Sequence, residues 1–159
     1  MRRTRIGAAG ATTSTAEDYL RRIVELTESH RQRVSMGAIA AAAGVVPGTA
    51  TTMMQALARS GWVDYRPHRH VALTPEGRKV GSNVLRKHRL VATLLVKLLE
   101  IDRVAVGAEA DRWEHAFSDA VATRLDAALR YPATDPNGHP IPIFTGGSAL
   151  GRRRRKNHS

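Results

Sequence analysis

The chain has 159 residues, of which 42% are hydrophobic, enough for one domain or two small ones with a buried core. It contains no cysteine, which excludes disulfides, thiolate metal sites and cysteine nucleophiles, so any metal ligands must be oxygen or nitrogen donors. The formal net charge of +11 is typical of nucleic-acid binding, but the charge is unevenly distributed. Residues 15–90 hold 12 Lys/Arg and 6 Asp/Glu, whereas residues 91–150 hold 5 Lys/Arg and 8 Asp/Glu, so a basic part of the chain is followed by an acidic part.

A first helix is predicted from about Thr15 to Glu28. Ser14 and Glu17 form a capping-box pattern, STAE, at its start. The apolar residues behind the cap recur at helical spacing and would form one buried stripe: Tyr19, Leu20, Ile23, Val24 and Leu26. Residues 1–13 contain arginine and no acid, and we expect them to be a basic, flexible N-terminus.

Two further helices follow, separated by a tight turn. Ser35 can cap a short alanine-rich helix over residues 36–43, which Gly44 ends. Pro47 fits the first position of a third helix that Gly61 stops. Its packing side would carry Ala50, Met53, Met54 and Leu57. Two helices joined by a short turn containing glycine are typical of a helix-turn-helix, although an ordinary helical hairpin has the same periodicity.

Polar residues and strand patterns favour DNA binding over an ordinary hairpin. An ordinary hairpin would not need the polar residues expected on the exposed side of the third helix, which are Thr49, Thr51, Thr52 and Gln55. WVDY and HVALT are typical of two short strands, and they flank a basic turn at residues 66–69. The combination predicts a winged helix-turn-helix domain over residues 14–79.

A second, acidic half is predicted to be helical. Thr74 and Pro75 start a long helix with apolar residues at helical spacing, which would link the two halves. A short helix is expected around residues 107–117, and another begins after Ser118 and ends at Tyr131. Short apolar helices without a large core of their own indicate a dimer interface. We therefore expect an all-α dimerisation domain over residues 80–131 and a mainly α fold.

The remaining residues, 132–159, are rich in Pro and Gly and end in GRRRRKNHS. This composition predicts an irregular segment and a basic tail that acts as a nonspecific electrostatic tether. No run of about 18 apolar residues occurs, and the N-terminus lacks the apolar stretch of a secretory signal. We expect a cytoplasmic protein that does not associate with membranes.

One acidic stretch places three potential metal ligands at helical spacing. In EADRWEHAF, Asp111, Glu114 and His115 fall at i, i+3 and i+4 on one face of a helix. Carboxylates one turn apart repel unless a cation or a proton lies between them. With an imidazole they form a donor set suited to a divalent ion. A solvated, charged helix face is the alternative, and the cluster alone leaves both interpretations open.

Several stretches together resemble the iron- and manganese-dependent repressors typified by diphtheria-toxin repressor and the manganese transport regulator. They are TAEDYLRRIVEL, VVPGTATTMMQALARSGWV, LTPEGRKVG, RKHRL and EADRWEHAFSD, which agree in order and spacing over residues 15–142. NGHPIP resembles the segment that leads to a third, SH3-like domain in longer relatives. Only 17 residues follow it, so we expect that domain to be missing.

Carried over position by position, the resemblance implies five metal ligands: Asp18, His88, Asp111, Glu114 and His115. Iron-type relatives have sulfur donors at the positions of Asp18 and Asp111, whereas manganese-type relatives have carboxylates at both. Hard oxygen donors suit manganese, so Mn²⁺ is the expected ion and Fe²⁺ the alternative.

The sequence also departs from the family pattern at positions that bear on the number of ions. Arg21 stands where manganese-type relatives have a second helix-one carboxylate for a paired ion, and a cation there should exclude that ion. Ala92 and Gly107 stand where iron-type relatives supply ligands to an ancillary site. We therefore expect one ion per subunit. No role is predicted for Glu109.

On the DNA side, the helix N-terminus, exposed polar residues and nearby arginines are the expected contacts. They are Pro47, Gly48, Thr49, Thr51, Thr52, Gln55, Arg59, Arg66 and Arg69. The helix start can hold a phosphate, Gln55 can pair with adenine, and the arginines would position the duplex without specifying its sequence. His68 and His70 are expected to face solvent on the wing, because no carboxylate accompanies them.

The resemblance implies a metal-dependent transcriptional repressor of metal-homeostasis genes. Its partners would be double-stranded operator DNA and a second copy of the chain, with no small-molecule substrate. One ion would clasp the DNA-binding half, through Asp18, to the dimerisation half. The alternatives are an iron-dependent repressor and a winged-helix protein that needs no metal. We do not expect an enzyme, because neither a nucleophile nor a glycine-rich phosphate loop accompanies the cluster.

Overall fold

The computed structural model describes residues 10–30, 34–67 and 69–144. The expectations for the N-terminal arginines, for His68 and for the basic tail lie outside these ranges. Within them the chain is mainly α, with six helices and one two-stranded sheet. In chain order these are α1 Gly10–His30, α2 Met36–Ala43, α3 Pro47–Arg59, β1 Val63–Asp64, β2 Ala72–Leu73, α4 Pro75–Leu99, α5 Val106–Trp113 and α6 Asp119–Ala128.

The α2–α3 unit forms as the capping residues predict. The Ser35 side chain accepts a hydrogen bond from the Ala38 N–H at the start of α2. Gly44 ends α2 in the left-handed region with φ 65°, which a residue with a Cβ rarely adopts. The two helices meet at 105°, within the range of helix-turn-helix units. No single described helix is long and apolar enough to cross a membrane. Together, α2 and α3 have the length and composition of a membrane-spanning segment interrupted by a bend.

A small wing and a hydrophobic core complete the N-terminal unit. β1 and β2 pair antiparallel, with Val63 opposite Leu73, and Val34 pairs with Val71 through two backbone hydrogen bonds. The core joins α1, α2, α3 and the wing, and its fully buried side chains include Leu20, Ile23, Ile39, Met54 and Leu57. This unit is the winged helix-turn-helix that the sequence predicts.

The helix α4 runs from the wing into the second half of the chain. Its N-terminus is held by Thr74, whose backbone N–H donates to the Trp62 carbonyl and whose hydroxyl donates to the Gly61 carbonyl. Farther along, α4 packs against α5 in a second core made by Val91, Ala92, Leu95, Val106 and Ala110, with Phe117 and Leu125 against it. A single long helix therefore contacts both halves.

The boundaries of several elements differ from the sequence prediction, and α6 ends at Ala128 rather than at Tyr131. α1 begins at Gly10 rather than near Thr15, because no proline interrupts the residues before Ser14 and the helix continues through them. The strands are only two residues long. α5 ends at Trp113 instead of 117, because Phe117 packs on the second core and Ser118 caps α6, so the chain must turn between these helices.

α1 and α4 approach so closely at Gly81 that a side chain would not fit. A Cβ there would lie 2.6 Å from the Leu20 carbonyl oxygen. We expect Gly81→Ala to lower the free energy of unfolding by about 1–3 kcal/mol despite the better helix propensity of alanine, because two backbones must separate. Gly37→Ala in α2 is the matched control, since a Cβ added at Gly37 would meet nothing within 4 Å, and it should raise stability by up to about 1 kcal/mol. Urea denaturation measures both, and equal effects would contradict the prediction.

Candidate metal centre and DNA-binding face

The five residues that the resemblance marks as ligands come together at the junction of the two halves. Asp18 lies on α1, His88 on α4 and Asp111 on α5. Glu114 and His115 lie in the turn that follows α5. Because α4 packs against both α1 and α5, its middle turn brings the α1 residue next to the residues around the end of α5.

The ligand atoms form two groups that share Glu114. One group is Asp18, Glu114 and His115, and the other is His88, Asp111 and Glu114, with the ligand atoms of each lying within 4.8 Å of one another. In the first group, His115 Nε2 is 2.6 Å from Asp18 Oδ1 and 3.4 Å from Glu114 Oε1. In the second, His88 Nδ1 is 2.7 Å from Glu114 Oε2 and 3.2 Å from Asp111 Oδ1. We call these the Asp18 lobe and the His88 lobe.

Arg21 enters the His88 lobe from α1. Its Nη2 donates a hydrogen bond to Asp111 Oδ1 at 2.8 Å, and its Nε lies 3.1 Å from Glu114 Oε1. Its Nη1 contacts Glu25 on its own helix at 3.2 Å. The side chain is only 4% exposed, so these carboxylates replace the water that a guanidinium normally contacts.

The charges in this cluster shift one another's protonation. Burial raises the pKa of Glu114 above its ordinary value despite the opposing effects of His88 and Arg21. Burial alone would raise the pKa of Asp111, but the hydrogen bond to His88 and the charge of Arg21 outweigh it, so this pKa is lowered. The pKa values of His88 and His115 are raised, because their carboxylate partners outweigh the burial that disfavours the imidazolium.

The donor set and one unsatisfied atom fit a divalent ion. Glu114 Oε1 is buried and makes no hydrogen bond among the described residues, because its approach to Arg21 Nε has the distance of an ion pair but not the geometry of a hydrogen bond. This oxygen faces His115 Nε2, which itself lies against Asp18. Carboxylate oxygens with imidazole nitrogen are ligands for manganese, iron or zinc rather than for softer thiolate-seeking ions.

Glu17 is a neighbour that the sequence analysis missed. His115 Nδ1 lies 3.0 Å from Glu17 Oε2, so the carboxylate can accept the Nδ1 proton and leave Nε2 free for an ion. Nothing in the spacing of α1 marks Glu17 for this role, because its partner is 98 residues away in the chain. Glu109, by contrast, has Arg112 as its only ion-pair partner among the described residues, on the surface.

A cavity of about 650 Å³ lies beside the Asp18 lobe. Glu17, Glu114 and His115 line one part of it, and Lys79, Lys87 and Asp119 line another. The lobe is thus bordered by open volume, whereas Arg21 is closed off from solvent.

The exposed face of α3 carries most of the predicted DNA contacts. Ala50, Met54 and Leu57 are buried, which leaves Gly48, Thr52, Gln55 and Arg59 at helical spacing on the opposite, exposed side. Pro47 and Thr49 are exposed at the helix start, whereas Thr51 is half-buried. Arg66, Arg69 and His70 are exposed on the wing.

Two features of this face were not apparent from the sequence. The hydroxyls of Thr51 and Thr52 donate to the carbonyls of Pro47 and Gly48, one turn earlier, so their protons are used within the helix. Val46, which precedes α3, is 68% exposed despite being apolar. At Thr51 and Thr52 the face therefore presents methyl groups rather than free hydroxyl donors, beside the Gln55 amide and the Arg59 guanidinium.

Comparison with known proteins agrees with this division into two halves. The family model described as the N-terminal DNA-binding domain of iron-dependent repressors matches residues 11–71. The model described as the metal-binding and dimerisation domain of the same repressors matches residues 74–143. An uncharacterized HTH-type transcriptional regulator of Methanocaldococcus jannaschii is 32% identical, over 69% of this chain and 87% of that protein. The chain belongs to the iron-dependent repressor family.

Two further relatives are longer than this chain. The iron-dependent repressor of Mycobacterium leprae is 38% identical over 80% of this chain, which spans only 55% of that repressor's length. A solved structure of a manganese-dependent transcriptional repressor in complex with manganese is 37% identical with a TM-score of 0.75, over 86% of this chain and 63% of that one. By name, these relatives include both an iron-dependent and a manganese-dependent repressor.

The metal-free protein should lose thermal stability as the pH rises above about 6.5. The folded chain raises the pKa of His88 and His115 from 6.5, so their protons stabilise the fold fully below that pH. This contribution disappears as the pH rises through the raised values. Thermal melts of chelator-treated protein between pH 6 and 9 measure the effect, and the double variant His88→Gln/His115→Gln should flatten the slope. A melting temperature that climbs with pH in the parent protein would refute the expectation.

Proposed function

We propose that the chain is a metal-dependent, DNA-binding transcriptional repressor of metal-homeostasis genes. The observation that carries the proposal is the convergence of Asp18, from the DNA-binding half, with His88, Asp111 and His115 around the buried carboxylate of Glu114. Membership of the iron-dependent repressor family supports both DNA binding and metal dependence. The role is binding and regulation rather than catalysis.

In this mechanism the residues of the site respond to metal by changing how firmly the two halves are joined. Bound metal would supply positive charge between carboxylates that otherwise repel. Asp18 holds the α1 side, whereas Glu114 and His115 hold the dimerisation side, and Glu17 orients His115 through Nδ1. Fixing α1 fixes the core beneath α3, because α1 and α3 share that core.

Manganese is the ion that we propose, with one ion per subunit and Fe²⁺ as the alternative. Oxygen donors at Asp18 and Asp111 support manganese, because the site lacks a sulfur ligand that would favour softer ions. Parallel titrations with Mn²⁺, and with Fe²⁺ under anaerobic conditions, distinguish the two. Because the Irving–Williams order places Fe²⁺ above Mn²⁺, Mn²⁺ binding as tightly as Fe²⁺ would support manganese, whereas markedly tighter binding of Fe²⁺ would favour the alternative.

The proposed partners are operator DNA and a second copy of the chain. The division into a DNA-binding part at 14–79 and a dimerisation part at 80–131 is part of the proposal. Exposed apolar residues support a dimer interface in the second part: Leu98, Leu99, Val104, Trp113 and Val121. A two-fold dimer would place its two α3 helices in successive major grooves and would select an inverted repeat from random duplexes.

A winged-helix protein that needs no metal is the second candidate. Arg21 supports it, because this residue already joins α1 to Asp111 of α5 through a hydrogen bond without any ion. The two candidates differ in one measurable property, which is whether operator affinity depends on the metal concentration.

A Mn²⁺ titration followed by electron paramagnetic resonance tests the metal site. We expect one saturable ion per chain, and we expect Glu114→Gln to weaken its binding by more than about 100-fold, beyond the usual cost of losing an outer-shell partner. Glu109→Gln is the matched control, because it makes the same change on a surface residue that pairs with Arg112. Absence of saturable binding to the parent protein would refute the metal-dependent proposal and leave the metal-independent one.

Selection of random duplexes with and without Mn²⁺ tests the DNA side. We expect Mn²⁺ to tighten operator binding by about 5- to 150-fold, the usual range of coupling between two sites. Gln55→Ala should relax base preference at one position in each half-site, whereas Arg66→Ala should weaken all sequences alike and reduce the salt dependence. Equal affinity at all metal concentrations, or unchanged preference in Gln55→Ala, would count against these assignments.

A further inference from the structure

Arg21 is buried in the candidate metal centre although it is not a metal ligand. It lies one helical turn after Asp18 on α1, and its guanidinium reaches across to the end of α5. Three carboxylates surround it: Nη2 contacts Asp111, Nε contacts Glu114 and Nη1 contacts Glu25. A buried guanidinium without such partners would be strongly destabilising, so this arrangement must be maintained whenever the halves are docked.

The contacts of Arg21 fall unequally on the two lobes. Asp111 and Glu114 are two of the three residues of the His88 lobe, and both contact Arg21. Asp18 and His115 of the Asp18 lobe instead contact each other. The guanidinium hydrogen-bonds to Asp111, which belongs only to the His88 lobe, whereas Asp18, which belongs only to the Asp18 lobe, has His115 as its partner. The shared Glu114 has an oxygen, Oε1, that makes no hydrogen bond among the described residues but lies 3.1 Å from Arg21 Nε.

We infer that Arg21 is an internal cation that takes the place of an ion in the His88 lobe and keeps α1 docked on α5 when no metal is bound. The inference rests on the proposed metal-binding function and adds to it a role for Arg21 in regulation. The guanidinium restricts metal to the Asp18 lobe. It also supplies part of the junction between the halves, so metal adds to an existing contact instead of creating the whole junction.

The physical reason is repulsion between like charges in a poorly screened place. A divalent ion in the His88 lobe would share Asp111 and Glu114 with the guanidinium, and like charges so close together repel strongly where water screens them poorly. Replacing Arg21 with a neutral residue removes that repulsion and leaves the carboxylates without a counter-charge. Replacing it with glutamate adds an oxygen donor beside a lobe that has lost its cation.

The test compares three single variants in the full chain by Mn²⁺ binding and by the melting temperature of the metal-free protein. Arg21→Glu should bind two Mn²⁺ ions per chain where the parent binds one. Arg21→Gln should bind its ion at least about tenfold more tightly than the parent, because the like charge is gone. Both variants should melt at a lower temperature than the parent without metal and recover with Mn²⁺. Arg112→Glu, which changes the same charge on an exposed residue of α5, should match the parent in ion number and affinity.

The outcomes separate this inference from the proposed function. A parent protein that binds no Mn²⁺ refutes the proposed function itself. A parent that binds one ion, with Arg21→Glu also binding one and Arg21→Gln unchanged in affinity and melting temperature, refutes only the role of Arg21. A parent that binds two ions also refutes that role while leaving metal binding intact. Should Arg21→Glu fail to fold, the affinity and melting temperature of Arg21→Gln decide the question.

Discussion

The structure depends on how the buried carboxylate of Glu114 is neutralised. Its side chain is inaccessible to solvent, and it has three nitrogen-bearing neighbours: His88 on Oε2, and Arg21 and His115 near Oε1. Each comes from a different segment, namely α4, α1 and the turn after α5. Burial strongly disfavours the ionised form of a carboxyl group unless positive groups surround it. The packing of the three segments therefore determines the charge state of Glu114. The two halves meet where they can share this charge.

The long helix α4 connects the charges around Glu114 to distant parts of the chain. Its first turn is fixed to the wing through Thr74, its middle carries His88, and its later turns build the second core. With 25 residues it extends about 37 Å. Gly81 lets α1 lie against this helix at backbone distance, so movement of α1 relative to α4 would strain both. Coupling between metal and DNA would pass through these two packed helices and would act equally in both directions.

The sequence predicted local structure better than the contacts between segments. Ser35, Gly44 and Pro47 determine helix ends within a few residues, and the structure has those ends where the caps predict them. The convergence of Asp18 and His88 with the acidic stretch could be expected only from resemblance, because no spacing rule joins residues on different helices. The contacts of Arg21 and Glu17 depend on how α1 faces the turn after α5. The end of α5 depends on the packing of Phe117, which the sequence does not reveal. The helical spacing of Asp111, Glu114 and His115 therefore predicted that His115 lies on a helix, whereas α5 ends at Trp113.

The cavity beside the Asp18 lobe has a consequence for the speed of a metal sensor. Glu17 and His115 are partly exposed beside the open volume, whereas Arg21 is buried between the halves. An ion held by the bordering residues would exchange with solvent by stepwise ligand substitution, while the guanidinium keeps the protein assembled. The time for the protein to respond to falling metal would then be set by ion dissociation and not by unfolding or domain separation. A sensor of this kind would lose its ion while α1 stays in contact with the segment around the end of α5 through Arg21.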